Sequence, residues 1–208
     1  MKARNSCGSY KYIPWLVFLL GLGGFALSGC DGESGPALSL QPFYLQPDLE
    51  TDATLIGTWT SEDGEVSFRF DEGQAKAYKL QVRETESGRT SSAEFEVHLV
   101  RLGSVSFLDF FPKGGNSGST FYALHLLPAH SIARVELSSD SIQLAFLDGG
   151  WLKKSLDAQT VDVATQKTNG TMLLTGETRE VQKLVDFHSN DTDAFPDAVT
   201  LFREESEP

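Results

Sequence analysis

The sequence predicts a mainly β protein: a closed or nearly closed antiparallel up-and-down barrel with two short helices. Three observations carry this. From Leu55 onward, short runs of β-forming residues are separated by Gly, Ser, Asp and Asn. Several of those runs alternate apolar and polar residues, as a strand with one covered face does. Only two stretches show helical spacing. Closure is expected because a ring removes the exposed edges that so many strands would otherwise present.

Strands are predicted at 55–61, 66–71, 77–83, 93–102, 105–111, 120–127, 131–137, 141–147, 171–175 and 199–203. The turns between them are marked by Glu62-Asp63-Gly64, Glu72-Gly73, Glu86-Ser87-Gly88 and Ser138-Ser139-Asp140. Ala133, Val135 and Leu137 share one strand face while Arg134 and Glu136 take the other; Ile142, Leu144 and Phe146 alternate in the same way. The run from Phe121 to Leu127 is apolar on both faces and reads as a more buried strand, preceded by a Gly-rich loop at 113–119. After Gly149-Gly150, a short helix would place Leu152 and Leu156 on one side. A second helix at 178–187 would carry Val181, Leu184, Val185 and His188 as its apolar stripe, with Thr175 or Thr178 as cap.

The N-terminus has a different character. Lys2, Arg4 and Lys11 precede an apolar run from Leu16 to Leu27, with no acid before Asp31. Leu27-Ser28-Gly29-Cys30 resembles the lipobox of bacterial lipoprotein precursors. That resemblance implies that the Cys30 thiol receives a diacylglyceryl group and that cleavage just before it leaves Cys30 as the lipidated first residue. The protein is then exported and tied to a membrane of the cell envelope, and each buried CH₂ of the anchor is worth about 0.8 kcal/mol. The alternative, an uncleaved span, needs a helix extended back through Tyr12 to Trp15, because about a dozen apolar residues fall short of the roughly twenty that cross a bilayer. The expected organisation is a signal peptide at 1–29, lipidated Cys30 and a flexible tether at 30–52, the barrel at 53–204 and an acidic tail at 205–208. Gly32, Gly35, Pro36, Pro42 and Pro47 punctuate the tether, whose one apolar patch is Phe43-Tyr44-Leu45.

Charge and cysteine usage narrow the partners. The chain has 17 basic and 29 acidic residues, and the signal peptide carries three of the basic ones and no acid. The exported part is therefore strongly acidic, which disfavours nucleic acid as a partner. Cys7 leaves with the signal peptide and Cys30 carries lipid, so neither a disulfide nor a thiol nucleophile is expected in the domain.

Gly57-Thr58-Trp59 on the first predicted barrel strand resembles the Gly-x-Trp signature of the lipocalin and fatty-acid-binding-protein superfamily. The resemblance implies that Gly57 allows close approach of the backbone and that the Trp59 indole plugs one end of the barrel. It also implies a basic residue of the last strand stacked on that indole, here Arg203, a contact worth about 0.5–2 kcal/mol. A longer order of segments, including Tyr122 to Ser131, Leu147-Asp148-Gly149-Gly150-Trp151-Leu152 and Leu173-Leu174-Thr175, is similar to a set of uncharacterised secreted bacterial proteins. That likeness implies fold and compartment, and no activity.

Candidate chemistry is sparse. Asp109, His125 and His130 are a conceivable zinc set at one rim; against it, His125 sits in an apolar strand as a core histidine would, and a buried Asp109 needs hydrogen-bond donors. Glu94, Glu96 and His98 alternate along one face and read as solvated surface. No nucleophile elbow, phosphate loop, dinucleotide fingerprint or calcium loop occurs beyond the signal peptide, so no enzyme and no cofactor are expected. Two functional readings follow. One is a structural or interaction protein of the envelope whose barrel is filled by its own side chains. The other is a binding module that holds an apolar small molecule or lipid, lined by Phe68, Phe107, Tyr122 and Phe146. A metal-dependent site at Asp109, His125 and His130 comes third.

Overall fold

The computed structural model describes residues 35–115, 128–168 and 170–204. Eight strands form the ring: β3 (Gly57–Thr60), β4 (Val66–Glu72), β5 (Ala77–Glu86), β6 (Arg89–Leu102), β7 (Val105–Gly115), β8 (His130–Leu137), β9 (Ser141–Phe146) and β12 (Val199–Arg203). Each pairs antiparallel with the next, and β12 returns to β3, which closes the barrel. The ring is thus a meander with one long excursion between β9 and β12. That excursion holds α1 (Gly149–Asp157), the hairpin β10 (Thr165–Thr168) and β11 (Thr171–Leu174), and α2 (Thr178–Phe187). Ahead of the ring, a leader segment at 35–56 carries two short strands, β1 (Leu38–Ser39) and β2 (Leu49–Glu50).

Local chemistry sets the turns. Ser87 and Gly88 both adopt positive φ, +51° and +76°, and so form the tight two-residue link between β5 and β6. Side-chain parity then builds two cores. Val97 and Leu99 on β6, Leu108 and Phe110 on β7, and Ala133 and Val135 on β8 face the bore, where they meet Trp59, Phe70, Leu80 and Leu144. The intervening Val100, Phe107 and Ile132 face outward and are just as buried. Their cover is supplied by Phe43, by Leu152 of α1, by Val181 and Val185 of α2, and by Phe195. The Phe107 ring meets Phe43 edge-on at 5.4 Å and Phe195 at 6.0 Å.

The stretch expected to be a tether is therefore part of the folded body from Pro36 onward. Ala37, Phe43 and Leu49 are buried, β1 pairs with both β8 and β11, and β2 pairs with β6. Strands of two residues leave no period to read, and these side chains are buried only by tertiary docking. β10 was missed for a related reason, since Thr165-Gln166-Lys167-Thr168 is polar throughout. The cap of α2 also differs from expectation. Glu177 occupies it, with its N–H donating to the Glu180 carboxylate at 3.2 Å, while the Thr178 hydroxyl donates to the Pro42 carbonyl at 2.8 Å and clips the helix to the leader. β7 runs past its predicted end at 111 to Gly115, and the strand expected at 120–127 lies outside the described residues.

One end of the ring is plugged. Trp59 is fully buried and its indole N–H donates to the Leu55 carbonyl at 2.9 Å. Arg203, paired with Trp59 in the β3–β12 register, lies over the indole with its guanidinium carbon 4.0 Å from the ring centre. Its nitrogens donate to the carbonyls of Ser139 at 2.7 Å and Ile56 at 3.1 Å, and to that of Thr54. Gly57 is required beneath it: φ is +132°, and a Cβ there would sit 2.8 Å from an Arg203 guanidinium nitrogen.

Trp59→Ala is expected to cost about 3–5 kcal/mol of unfolding free energy as a lost core aromatic, measured by denaturant titration. Gly57→Ala is expected to cost about 1–3 kcal/mol from backbone strain alone. Its measured cost should be smaller in an Arg203→Ala background, because the steric conflict is with that side chain. Equal costs in the two backgrounds would refute the latch geometry.

Candidate functional site

Among the described residues, the opposite end of the barrel is open. There the starts of β4, β6, β8 and β12 meet the ends of β5, β7 and β9 around an apolar cavity of about 210 Å³. Its walls are Phe68, Phe95, Phe110, Phe146, Val82 and Leu144, with Phe110 and Phe146 stacked at a slant 5.6 Å apart. The space exists because small residues, Ala93, Ser91 and Ser131, stand where larger ones would close the bore. Glu84 lies on the same rim, and burial raises its carboxyl pKa, with the nearby Glu86 charge adding to the effect. Of two larger clefts, one lies on the outer face beside Arg69, Lys79 and Glu94, and the other opens at the plugged end, where the bore-facing Leu55, Leu99, Leu108 and Val135 meet Arg101, Ser106 and Glu50. Their charged, open walls suit water better than a ligand. The mouth is smaller than the roughly 300–1,000 Å³ of pockets for drug-sized ligands, so it has room for one ring or the end of a chain.

A second group of functional side chains sits on the outer face, beneath the leader. The His130 Nδ1 lies 2.9 and 3.0 Å from the two Asp109 carboxylate oxygens, and both residues are buried. The Phe43 backbone N–H also donates to Asp109, at 3.3 Å. His98 stands opposite Asp109 in the β6–β7 register and lies under the Tyr44 ring, with centroids 4.2 Å apart. Burial holds the His98 imidazole below its usual pKa, against the opposing pull of the Asp109 and Glu96 charges; His130 and Lys113 push it down as well. Burial likewise raises the Tyr44 phenol, reinforced by Asp109 and Glu96. The leader is thus seated on a buried carboxylate with hydrogen bonds in place. Among the described residues, no group of three or more His, Cys, Asp or Glu side chains is arranged to hold a metal ion.

The structure brings together some of the residues singled out in the sequence and separates others. Phe68 and Phe146 line the mouth. Phe107 faces away from it into the outer core, because its parity on β7 is opposite to that of Phe110. Asp109 and His130 do meet, on the outside of the ring and not in its bore. Tyr122, His125 and Cys30 lie outside the described residues. His98, expected on a solvated face with Glu94 and Glu96, is buried at 6% exposure, whereas Glu94 is exposed. The signal was present in Val97-His98-Leu99-Val100, which is apolar on both parities around His98 and so marks a strand covered on both sides. Phe95 and Phe110 complete the mouth and were not singled out. In comparisons with known proteins, no family, no curated protein and no solved structure matches the chain.

The depressed His98 pKa has a defined pH consequence. Unfolded, the imidazole takes a proton near pH 6.5, while the folded site resists it until lower pH. His98 thus costs the fold nothing above about pH 6.5, and stability falls as pH drops from there toward the folded value. Melting curves at pH 7.5 and 5.5 should show a smaller acid-induced loss for His98→Gln than for the parent. An equal loss would remove His98 as the source.

Proposed function

We propose that this protein is a lipid-anchored, non-enzymatic module of the cell envelope that holds an apolar group in the open end of a lipocalin-like barrel. The single observation that carries the binding reading is the apolar mouth, a cavity walled by four phenylalanines at the end of the bore away from Trp59. Gly57, Trp59 and the stacked Arg203 support the lipocalin-like reading of the barrel, since all three occupy the places that the resemblance assigns them. The anchor and the envelope location rest on the basic and apolar stretches of the signal peptide and on Leu27-Ser28-Gly29-Cys30. The acidic surface favours a neutral ligand over an anionic one.

A purely structural or interacting role is the second reading, and a specific observation favours it too. Most of the bore is occupied by Trp59, Phe70, Leu80, Leu99, Leu108 and Ile142, all buried. Any guest is therefore confined to the mouth.

The two readings separate on one variant. Ala93 lines the cavity and is only half-buried, so Ala93→Trp fills the mouth from its rim. Protein from Asp31 onward should bind a neutral solvatochromic dye at one site, with medium-chain alcohols competing. The variant should bind at least tenfold more weakly with its melting midpoint unchanged within a few degrees. No saturable binding by the parent would leave the filled barrel as the answer.

A further inference from the structure

We propose that the mouth is the seat of an acyl chain carried by Cys30 of the same molecule, so that the anchor divides its lipid between bilayer and barrel. This rests on the reading above, in which Cys30 is acylated and the mouth accepts an apolar group. The first support is where the leader meets the body. Pro36 is part of the cavity wall, and its position is fixed on both sides. The Ala37 N–H donates to the Leu147 carbonyl at 2.7 Å, and the Gly149 N–H donates to the Gly35 carbonyl at 2.9 Å. A Cβ on Gly149 would lie 2.8 Å from that Gly35 oxygen, so the glycine is what lets the leader lie this close. The chain therefore joins the body at the rim of the apolar mouth.

Chain length supplies the second support. From Cys30 to Pro36 a fully extended backbone reaches about 20 Å. An acyl chain on Cys30 is thus tethered within that reach of the cavity, at an effective concentration on the order of millimolar, ahead of any free ligand in solution.

The third support is the match of guest to walls. A cavity of about 210 Å³ takes a chain end rather than a whole lipid. The Glu84 carboxyl on the rim and the acidic chain around it oppose a phosphate or fatty-acid carboxylate. Acyl chains of the diacylglyceryl group bring no anion with them.

The test uses the full, processed protein in vesicles of phosphatidylcholine, with p-benzoylphenylalanine in place of Phe146. A second version carries it at Phe68, and a control carries it at Phe202, which is exposed near the plugged end. Irradiation followed by proteolysis and mass spectrometry should join the Cys30 lipopeptide to the peptide containing position 146 or 68. The yield should be at least tenfold above that at position 202, and Ala93→Trp should abolish it. A phosphatidylcholine adduct at the mouth, without the lipopeptide, overturns the own-chain assignment and leaves the binding reading standing. No adduct above the control at either mouth position overturns both. An N-terminal peptide whose Cys30 bears no lipid removes the anchor itself.

Discussion

Closure of the ring depends on a five-residue strand. β12 arrives after an excursion of more than fifty residues and must find β9 on one side and β3 on the other. Arg203 fixes that arrival. Its guanidinium is matched by three backbone carbonyls and by the face of Trp59. The carbonyls belong to the loop before β3 and to the β8–β9 turn, so one side chain ties three parts of the ring together. A lysine would bring the same charge without the planar fork that addresses several acceptors at once. With this end tied and plugged by Trp59, the apolar mouth of the bore lies at the other end.

The second core follows from what lies between β9 and β12. A barrel alone would leave Val100, Phe107 and Ile132 as apolar surface on β6, β7 and β8. The excursion and the leader cover them from two directions, and they also hold each other. The side-chain amide of Gln182 on α2 donates to the Phe43 carbonyl and to the Asp48 carboxylate, at 3.0 and 2.8 Å. Asp109 receives the leader's Phe43 N–H from beneath. Because a buried carboxylate is costly unless donors reach it, Asp109 and His130 specify where the leader sits as well as filling space. That placement is what brings Pro36 to the mouth.

Much of this was legible in the residues. Alternation in Ala133-Arg134-Val135 and Ile142-Gln143-Leu144 correctly assigned the faces of β8 and β9, and Gly57-Thr58-Trp59 with Arg203 located the plugged end before any geometry was known. What escaped was information that no single strand contains. Phe107 and Phe110 are both aromatic and three residues apart, and only the register of β7 against its neighbours decides which one sees the bore. His98 looked solvated because Glu94 and Glu96 share its parity. The strand passes from an open face to a covered one between Glu96 and His98, where the leader crosses. Docking of the leader itself was hidden because its hydrogen bonds go to distant strands and its own sequence has no period.

The contrast between the two ends of the bore is a matter of side-chain size. At the tied end the ring is filled by Trp59, Leu55, Ile142 and Leu201, all essentially inaccessible. At the other, Ala93, Ser91 and Ser131 line the same ring, and the phenylalanines that remain are only partly covered except Phe110. Packing at native density would favour larger residues there, since unfilled space forfeits dispersion contacts on every wall. A sequence selected for stability alone has no reason to keep serine at 91 and 131 around half-exposed aromatic rings. The strain of leaving that end open is small beside two complete cores, and an apolar guest would recover the missing contacts. An open mouth beside the leader is thus the one feature of the fold that stability does not explain.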